Sequence, residues 1–245
     1  MPEISLIIVD NLQHDLAKFS IEKTIQHIDP KEIIIFSDRN FYEGCKFVNI
    51  KKNISIFDYS EIILKHLWLY LETDYALIIQ WDGMAIDRMF WSDEYLTYDY
   101  IGAPWDGNDQ YRVGNGGFSL RSKKLIDALR DTEIQLGRQS RELEDAAICR
   151  EYRQLLEQKY SITYAPYDIA KNFSFELNFT GNTFGFHGIW NTAKFFSEKE
   201  LDYIIDNMPV YIWKTEWKYR RLLQELSQRG FKSLISKCMS MINNI

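Results

Sequence analysis

The sequence predicts an α/β fold with a mostly parallel central sheet flanked by helices. Two observations carry this. Short, continuous apolar runs alternate with segments of helical periodicity, and such alternation is the mark of a parallel sheet covered on both faces. The chain of 245 residues, 46% hydrophobic and 26% charged, is also long enough to bury one sizeable core.

The runs Ile4–Val9, 32–36 and Tyr75–Ile79 are each short, apolar and bounded by polar residues, which predicts buried strands. Helices are expected between them, over 11–27 and 58–71. The second has Asp58 and Glu61 as a capping-box-like start, and Ile62, Ile63, His66, Leu67, Tyr70 and Leu71 follow at helical spacing. Five of the 12 glycines then fall between Gly102 and Gly117, a density that marks tight turns or close approach of backbone to a ligand. Beyond it Ser122 is placed to cap a helix running to Arg130, a longer helix is expected over 144–158, and Ser197 with Glu200 forms a capping box.

Residues 210–245 differ from the rest. They hold seven Lys/Arg and two Glu, a charge of +5 in a chain whose net charge is −6. Phe231, Leu234, Ile235, Cys238 and Ile242 share one helical face. Two readings stand: a helix packed on the domain at 1–209, or a basic amphipathic tail that docks on an anionic membrane or a protein partner.

Composition narrows the function. The negative net charge argues against a nucleic-acid partner. Cys45, Cys149 and Cys238 are odd in number and without a CxxC pair, which points away from a disulfide framework and toward a cytoplasmic protein. No apolar run reaches the roughly 20 residues of a membrane span, and the start lacks the basic and apolar regions of a signal peptide.

Four short motifs carry chemistry. Gln80, Trp81 and Asp82 follow a strand end, where α/β sheets bind ligands and where a carboxylate holds a divalent ion. Gly114, Asn115, Gly116 and Gly117 form a loop free of side-chain bulk, without the spacing of a phosphate-binding loop. Glu144 and Asp145 open a helix, where the dipole favours acids and where a carboxylate is placed for general-base work. His187 lies between Phe186 and Gly188, a candidate metal ligand or an ordinary core histidine.

In this order the motifs resemble the GT-A glycosyltransferase core. More narrowly, the segments 100–105, 114–121, Glu144-Asp145 and 184–188 resemble a bacterial family described as domain of unknown function 5672. The resemblance implies a single GT-A-like, Rossmann-like domain that moves a sugar from a nucleotide-diphosphate donor to a glycan or lipid-linked glycan acceptor, with inversion, for a surface polysaccharide. It implies Asp145 as base, with Glu144 supporting sugar or acceptor, and a divalent metal, Mn or Mg, on Asp82 and His187. Val9, Asp10, Asn11, Asp38, Arg39, Gln80 and Trp81 would border the nucleotide. Asn115, Gly116, Gly117 and Trp105 would shape the sugar site. Gln80 stands where the family pattern has the first Asp of its metal motif, so a metal-free site that balances the diphosphate with Arg39, Arg112 or Arg121 is an alternative. Peripheral attachment at the inner membrane face would follow from the tail. A non-catalytic scaffold of the same shape and a nucleotidyltransferase are the competing readings.

Overall fold

The computed structural model describes residues 2–107, 110–137 and 143–244. A six-stranded sheet runs through it in the order β3-β2-β1-β4-β7-β6. Strands β1 (Ile4–Val9), β2 (Glu32–Ser37), β3 (Lys46–Asn49) and β4 (Tyr75–Ile79) are parallel. A second, three-stranded sheet contains β5 (Gly83–Ala85), β8 (Ser174–Phe175) and β9 (Gly185–His187). Strands β6 (Tyr100–Gly102) and β7 (Phe118–Ser122) close the large sheet as an antiparallel edge. The fold is mixed α/β with a mostly parallel sheet.

Alternation along the strands builds two cores. Ile7, Val9, Ile34, Phe36, Ala76 and Ile78 face one side, where they meet Ile63, Leu67, Leu125 and Ile126. Leu6, Ile8, Ile35, Leu77 and Ile79 face the other, against Ala17 and Ile21 of α1 (His14–Thr24). A period of two with both faces covered explains why β1 and β4 are apolar apart from the buried Ser5.

The helices depart from expectation at their ends. The first begins at His14, three residues inside the expected 11–27 span, because Asp10 holds the preceding turn with its carboxylate. α2 (Ile56–Glu61) is capped by Ser55 with Asp58 as the reciprocal partner. The box therefore starts three residues before the Asp58–Glu61 pair, since a hydroxyl is needed at the N-cap and Asp58 supplies the returning carboxylate. The helix then widens into a π turn over Ile62–His66. Ser122 caps α3 (Lys123–Ala128), as expected. The expected helix over 144–158 is divided into α4 (Glu144–Ala146), a π turn over Ala147–Glu151, and α5 (Arg153–Tyr160). After α6 (Tyr167–Phe173) and α7 (Thr192–Phe195), α8 (Glu198–Asn207) begins with the Ser197–Glu200 box.

Residues 210–244 form α9 (Val210–Lys214), α10 (Glu216–Gln228) and α11 (Lys232–Asn243). Ile212, Trp213, Leu222, Leu226, Leu234 and Cys238 are buried in a third cluster shared with Leu16, Met84, Phe186 and Trp190. Of the apolar face read from the sequence, Leu234 and Cys238 are buried in this cluster, and Phe231, Ile235 and Ile242 pack against it partly buried. No helix among the described residues is long and apolar enough to cross a membrane.

Leu226 is fully buried in that cluster, so Leu226→Ala is expected to lower the unfolding free energy by about 3 kcal/mol. Truncation after Pro209 should prevent stable folding, because it uncovers Phe186 and Trp190. Urea denaturation of the point variant and solubility of the truncated chain measure these outcomes.

Candidate active site at the carboxyl edge of the sheet

The carboxyl ends of β1 and β4 border a cavity of about 500 Å³. Val9, Asp10, Asn11, Gln80 and Trp81 line it, as the sequence suggests, together with Tyr59, Ile54, Ile56, Pro209 and Tyr211. Asp10 is held in place by two amides, since Oδ1 accepts from Leu12 N at 2.9 Å and Gln13 N at 2.6 Å. Burial nevertheless raises its pKa above the ordinary carboxylate value. Asn11 donates from Nδ2 to the Lys51 carbonyl at 2.9 Å, tying the cavity rim to the loop after β3. Asp38 and Arg39 do not line the cavity: Asp38 pairs with His14 at 2.8 Å, and Arg39 is exposed.

The turn after β4 brings Asp82 to His187. Gly83 N donates to the Gln80 carbonyl at 3.0 Å, and Ser20 of α1 donates its hydroxyl to the carbonyls of Gln80 and Gly83. β5 then pairs with β9 so that Gly83 lies opposite His187. Asp82 Oδ1 stands 3.3 Å from His187 Nε2, and Gln80 Oε1 is 3.2 Å from the same nitrogen. On the far side of the ring Glu176 Oε1 lies 3.4 Å from Nδ1. Burial opposes charge on His187, yet Asp82 and Glu176 together push its pKa up to about 10.

Two ligands of one small divalent ion lie about 3 Å apart, given metal–oxygen bonds of about 2.1 Å. The Asp82–His187 spacing fits that, and Asp82 Oδ1 is buried without a hydrogen-bond partner. A carboxylate behind the other ring nitrogen, the place of Glu176, is the usual support of a metal-binding imidazole. Among the described residues no group of three or more His, Cys, Asp or Glu could hold an ion. Any divalent ion held here would have Asp82 and His187 as its protein ligands. Arg121 is buried on Glu144 at 2.8 Å, Arg112 stacks on Tyr167 at 3.7 Å, and none of the three arginines lines the cavity.

The glycine loop joins this pair to the acids. A Cβ at Gly117 would meet the His187 ring at 2.3 Å, and one at Gly116 would meet Glu144 Oε1 at 2.5 Å. Gly116 N donates to Asp145 Oδ2 at 3.1 Å. Asn115 spends both ends of its amide on structure: Nδ2 donates to Glu176 Oε2 and Oδ1 accepts from Gly117 N, each at 3.1 Å. Glu144 is buried, and its Oε1 accepts from Arg121 at 2.8 Å. Asp145 is half-buried. Burial, and then the charge of Glu144, raise its pKa to about 7. Trp105 lies over Gly114 with the Arg150 guanidinium 4.3 Å from its ring, which leaves it away from the cavity lining and unfit as an open stacking platform there.

The convergence of Asp82, His187, Asn115, Gly116, Gly117 and Asp145 follows the order of motifs in the sequence. Nothing in the sequence marks Glu176, Tyr59 or Tyr211 as site residues, and Arg121, which ends the glycine motif, reads there as a diphosphate cation rather than as the partner of Glu144. Glu176 follows a two-residue strand that leaves no periodic signal.

Comparison with curated proteins finds no match. Among solved structures, a glycosyltransferase involved in glycosylation of the major capsid of PBCV-1 aligns with a TM-score of 0.51 at 10% identity, over 76% of this chain and 92% of that one. A mannosyltransferase from Pyrobaculum calidifontis, in complex with GDP-Man and Mn2+, aligns with a TM-score of 0.46 at 10% identity, over 69% and 55%. The bifunctional IspDF of Campylobacter jejuni gives 0.41 at 12% identity, over 60% of this chain and 46% of its own. The chain thus spans about half the length of the last two. The first of these likenesses supports a GT-A-like fold. A family model described as protein of unknown function (DUF5672) matches residues 44–187, more than half of the sequence and the stretch that holds Gln80, Asp82, the glycine loop, the Glu144–Asp145 pair and His187, and the chain belongs to that family.

Proposed function

We propose that the protein is a nucleotide-sugar glycosyltransferase that acts by single displacement with inversion. The observation that carries this is the shared wall of Gly116 and Gly117, with Asp145 on one side and the His187–Asp82 pair on the other. A single-displacement transfer needs a base for the acceptor and a positive site for the leaving diphosphate, a few ångströms apart.

The nucleotide occupies the cavity between Val9, Asp10, Trp81 and Tyr211. Asp82 and His187 would hold a divalent ion, Mn or Mg, and that ion would supply positive charge against the departing diphosphate. Asp145 takes the proton of the acceptor hydroxyl as its oxygen bonds to the anomeric carbon. The bond from that carbon to the phosphate oxygen breaks, and its electron pair leaves with the nucleoside diphosphate. The Gly116 amide orients Asp145, and Arg121 keeps the adjacent Glu144 from adding a second free charge. The acceptor is a glycan or lipid-linked glycan, and a bacterial surface polysaccharide is the product that the family resemblance favours.

Hydrolysis or transfer assays with a panel of nucleotide-diphosphate sugars and Mn2+ test the activity; no turnover of any donor would favour a scaffold. Asp145→Asn is expected to lower turnover by roughly 10²–10⁴-fold while nucleoside diphosphate binding persists. With the Asp145 pKa near 7, wild-type kcat should rise as pH passes upward through about 7, where the base ionises. Stability should move the opposite way. The native carboxyl keeps its proton where the unfolded one, at 3.8, has lost it, so stability falls as pH rises from about 4 to 7. Asp145→Asn should flatten that fall, which thermal melts across pH will show.

Gly117→Ala drives a methyl into the His187 ring. It should abolish the Mn2+-dependent part of nucleoside diphosphate affinity, by about tenfold or more. Calorimetric titration with and without Mn2+ measures it, and unchanged metal dependence would remove His187 from the site.

A further inference from the structure

We infer that Tyr211, on the C-terminal helix α9, is a donor-binding residue whose hydroxyl donates a hydrogen bond to the diphosphate and whose ring walls the nucleotide cavity. The inference rests on the donor-site reading above and extends it to a segment beyond the family match, which ends at residue 187.

Three observations carry it. Pro209 and Tyr211 line the same cavity as Asp10 and Gln80, so the C-terminal segment closes the side of the cavity away from the sheet. The Tyr211 ring stands edge-on to Trp81 at 6.5 Å, which fixes its orientation over the β4 turn. The ring is still 48% exposed, and its hydroxyl has no hydrogen-bond partner among the described residues. A large aromatic with an unused donor, left half open at the mouth of a cavity, is arranged for a ligand that covers it.

The chemistry points to phosphate. Burial raises the Tyr211 pKa, and the charges of Asp82 and Asp10 raise it further. The hydroxyl thus keeps its proton and is free to donate it to an acceptor. The Asp82 and Asp10 carboxylates whose charge it feels border the turn after β4 and the end of β1, the span proposed above for the diphosphate. The Lys218 ammonium sits 5.0 Å from the ring, adding positive charge at the same mouth. Neighbouring α9 residues Ile212 and Trp213 are buried, so the helix that carries Tyr211 is fixed by the third core and needs no folding on binding.

The test is calorimetric titration of the full chain with uridine, guanosine, cytidine and thymidine diphosphates in the presence of Mn2+, and with the matching nucleosides. For the diphosphate that binds wild type, Tyr211→Phe is expected to weaken affinity about 3- to 10-fold, the size of one hydrogen bond, and to leave nucleoside affinity unchanged. Tyr211→Ala should weaken both ligands, the diphosphate by more than tenfold. Because the side chain is half exposed, both ligand-free variants should melt within about 2 °C of wild type. If wild type binds a diphosphate and Tyr211→Phe binds it equally well, the Tyr211 proposal is overturned while the donor-site reading stands. If wild type binds none of the four, both fall together. A fall in melting temperature that accounts for the lost affinity would also overturn it, by assigning Tyr211 to the core.

Discussion

Two adjacent glycines hold the site together by what they lack. Gly117 gives its missing side-chain volume to the His187 ring, and Gly116 gives its own to Glu144 and Asp145. Any side chain at either position would separate the imidazole from the acids by the width of a methyl group or more. The loop is fixed from both sides, because Gln80 N donates to the Gly117 carbonyl at 3.0 Å and Ser119 donates its hydroxyl to the Gly116 carbonyl at 3.1 Å. Backbone, rather than side-chain, contact is therefore what joins β4, the end of β7 and α4 into one wall. Close approach of this kind is the physical use of glycine outside turns.

That wall organises the charges. On one side, three acceptors surround His187, with Gln80 and Asp82 at Nε2 and Glu176 at Nδ1. On the other, Arg121 answers Glu144 directly and Asp145 only through space. The result is an asymmetric pair of neighbouring carboxylates: one neutralised by a buried guanidinium, one left to take a proton near neutral pH. Two acids in sequence thus acquire different chemistry from their surroundings. Arg121 belongs to the same strand as the glycine loop, so the strand that shapes the wall also sets which acid is free.

Three strands of the six-stranded sheet, β1, β2 and β4, and the order of the chemical motifs are legible in the sequence, for identifiable reasons. β1 and β4 are almost wholly apolar because both faces are buried, Ser5 being the polar exception, and Asp82, Asp145 and His187 lie in short motifs whose order is readable. Other parts were silent. β8 and β9 hold two and three residues, too few for any period, so Glu176 could not be placed beside His187. Ser55 gave no sign that it outranks Asp58 as a cap until the hydroxyl geometry was seen. The basic stretch at 210–245 was legible as amphipathic helix, but whether its apolar face met the domain or something else depended on Phe186 and Trp190, which lie far away in sequence. Arg39 and Trp105 had suitable chemistry, and only the fold shows that one is exposed and the other packed under Arg150.

The amide at position 80 is best understood through the same charge balance. A carboxylate there would share His187 Nε2 with Asp82 while Glu176 stands at Nδ1, three acids around one imidazole. Like charges at such spacing raise one another's pKa, and at least one would take up a proton at neutral pH. Gln80 keeps an oxygen at the same spot, 3.2 Å from Nε2, without the added charge. Its carbonyl can serve as a weak oxygen ligand beside Asp82, or leave His187 to the metal and turn to the donor. With fewer fixed negative charges, the site would hold a divalent ion more weakly than a pair of carboxylates does. On that argument a divalent ion and a nucleoside diphosphate would each bind weakly without the other.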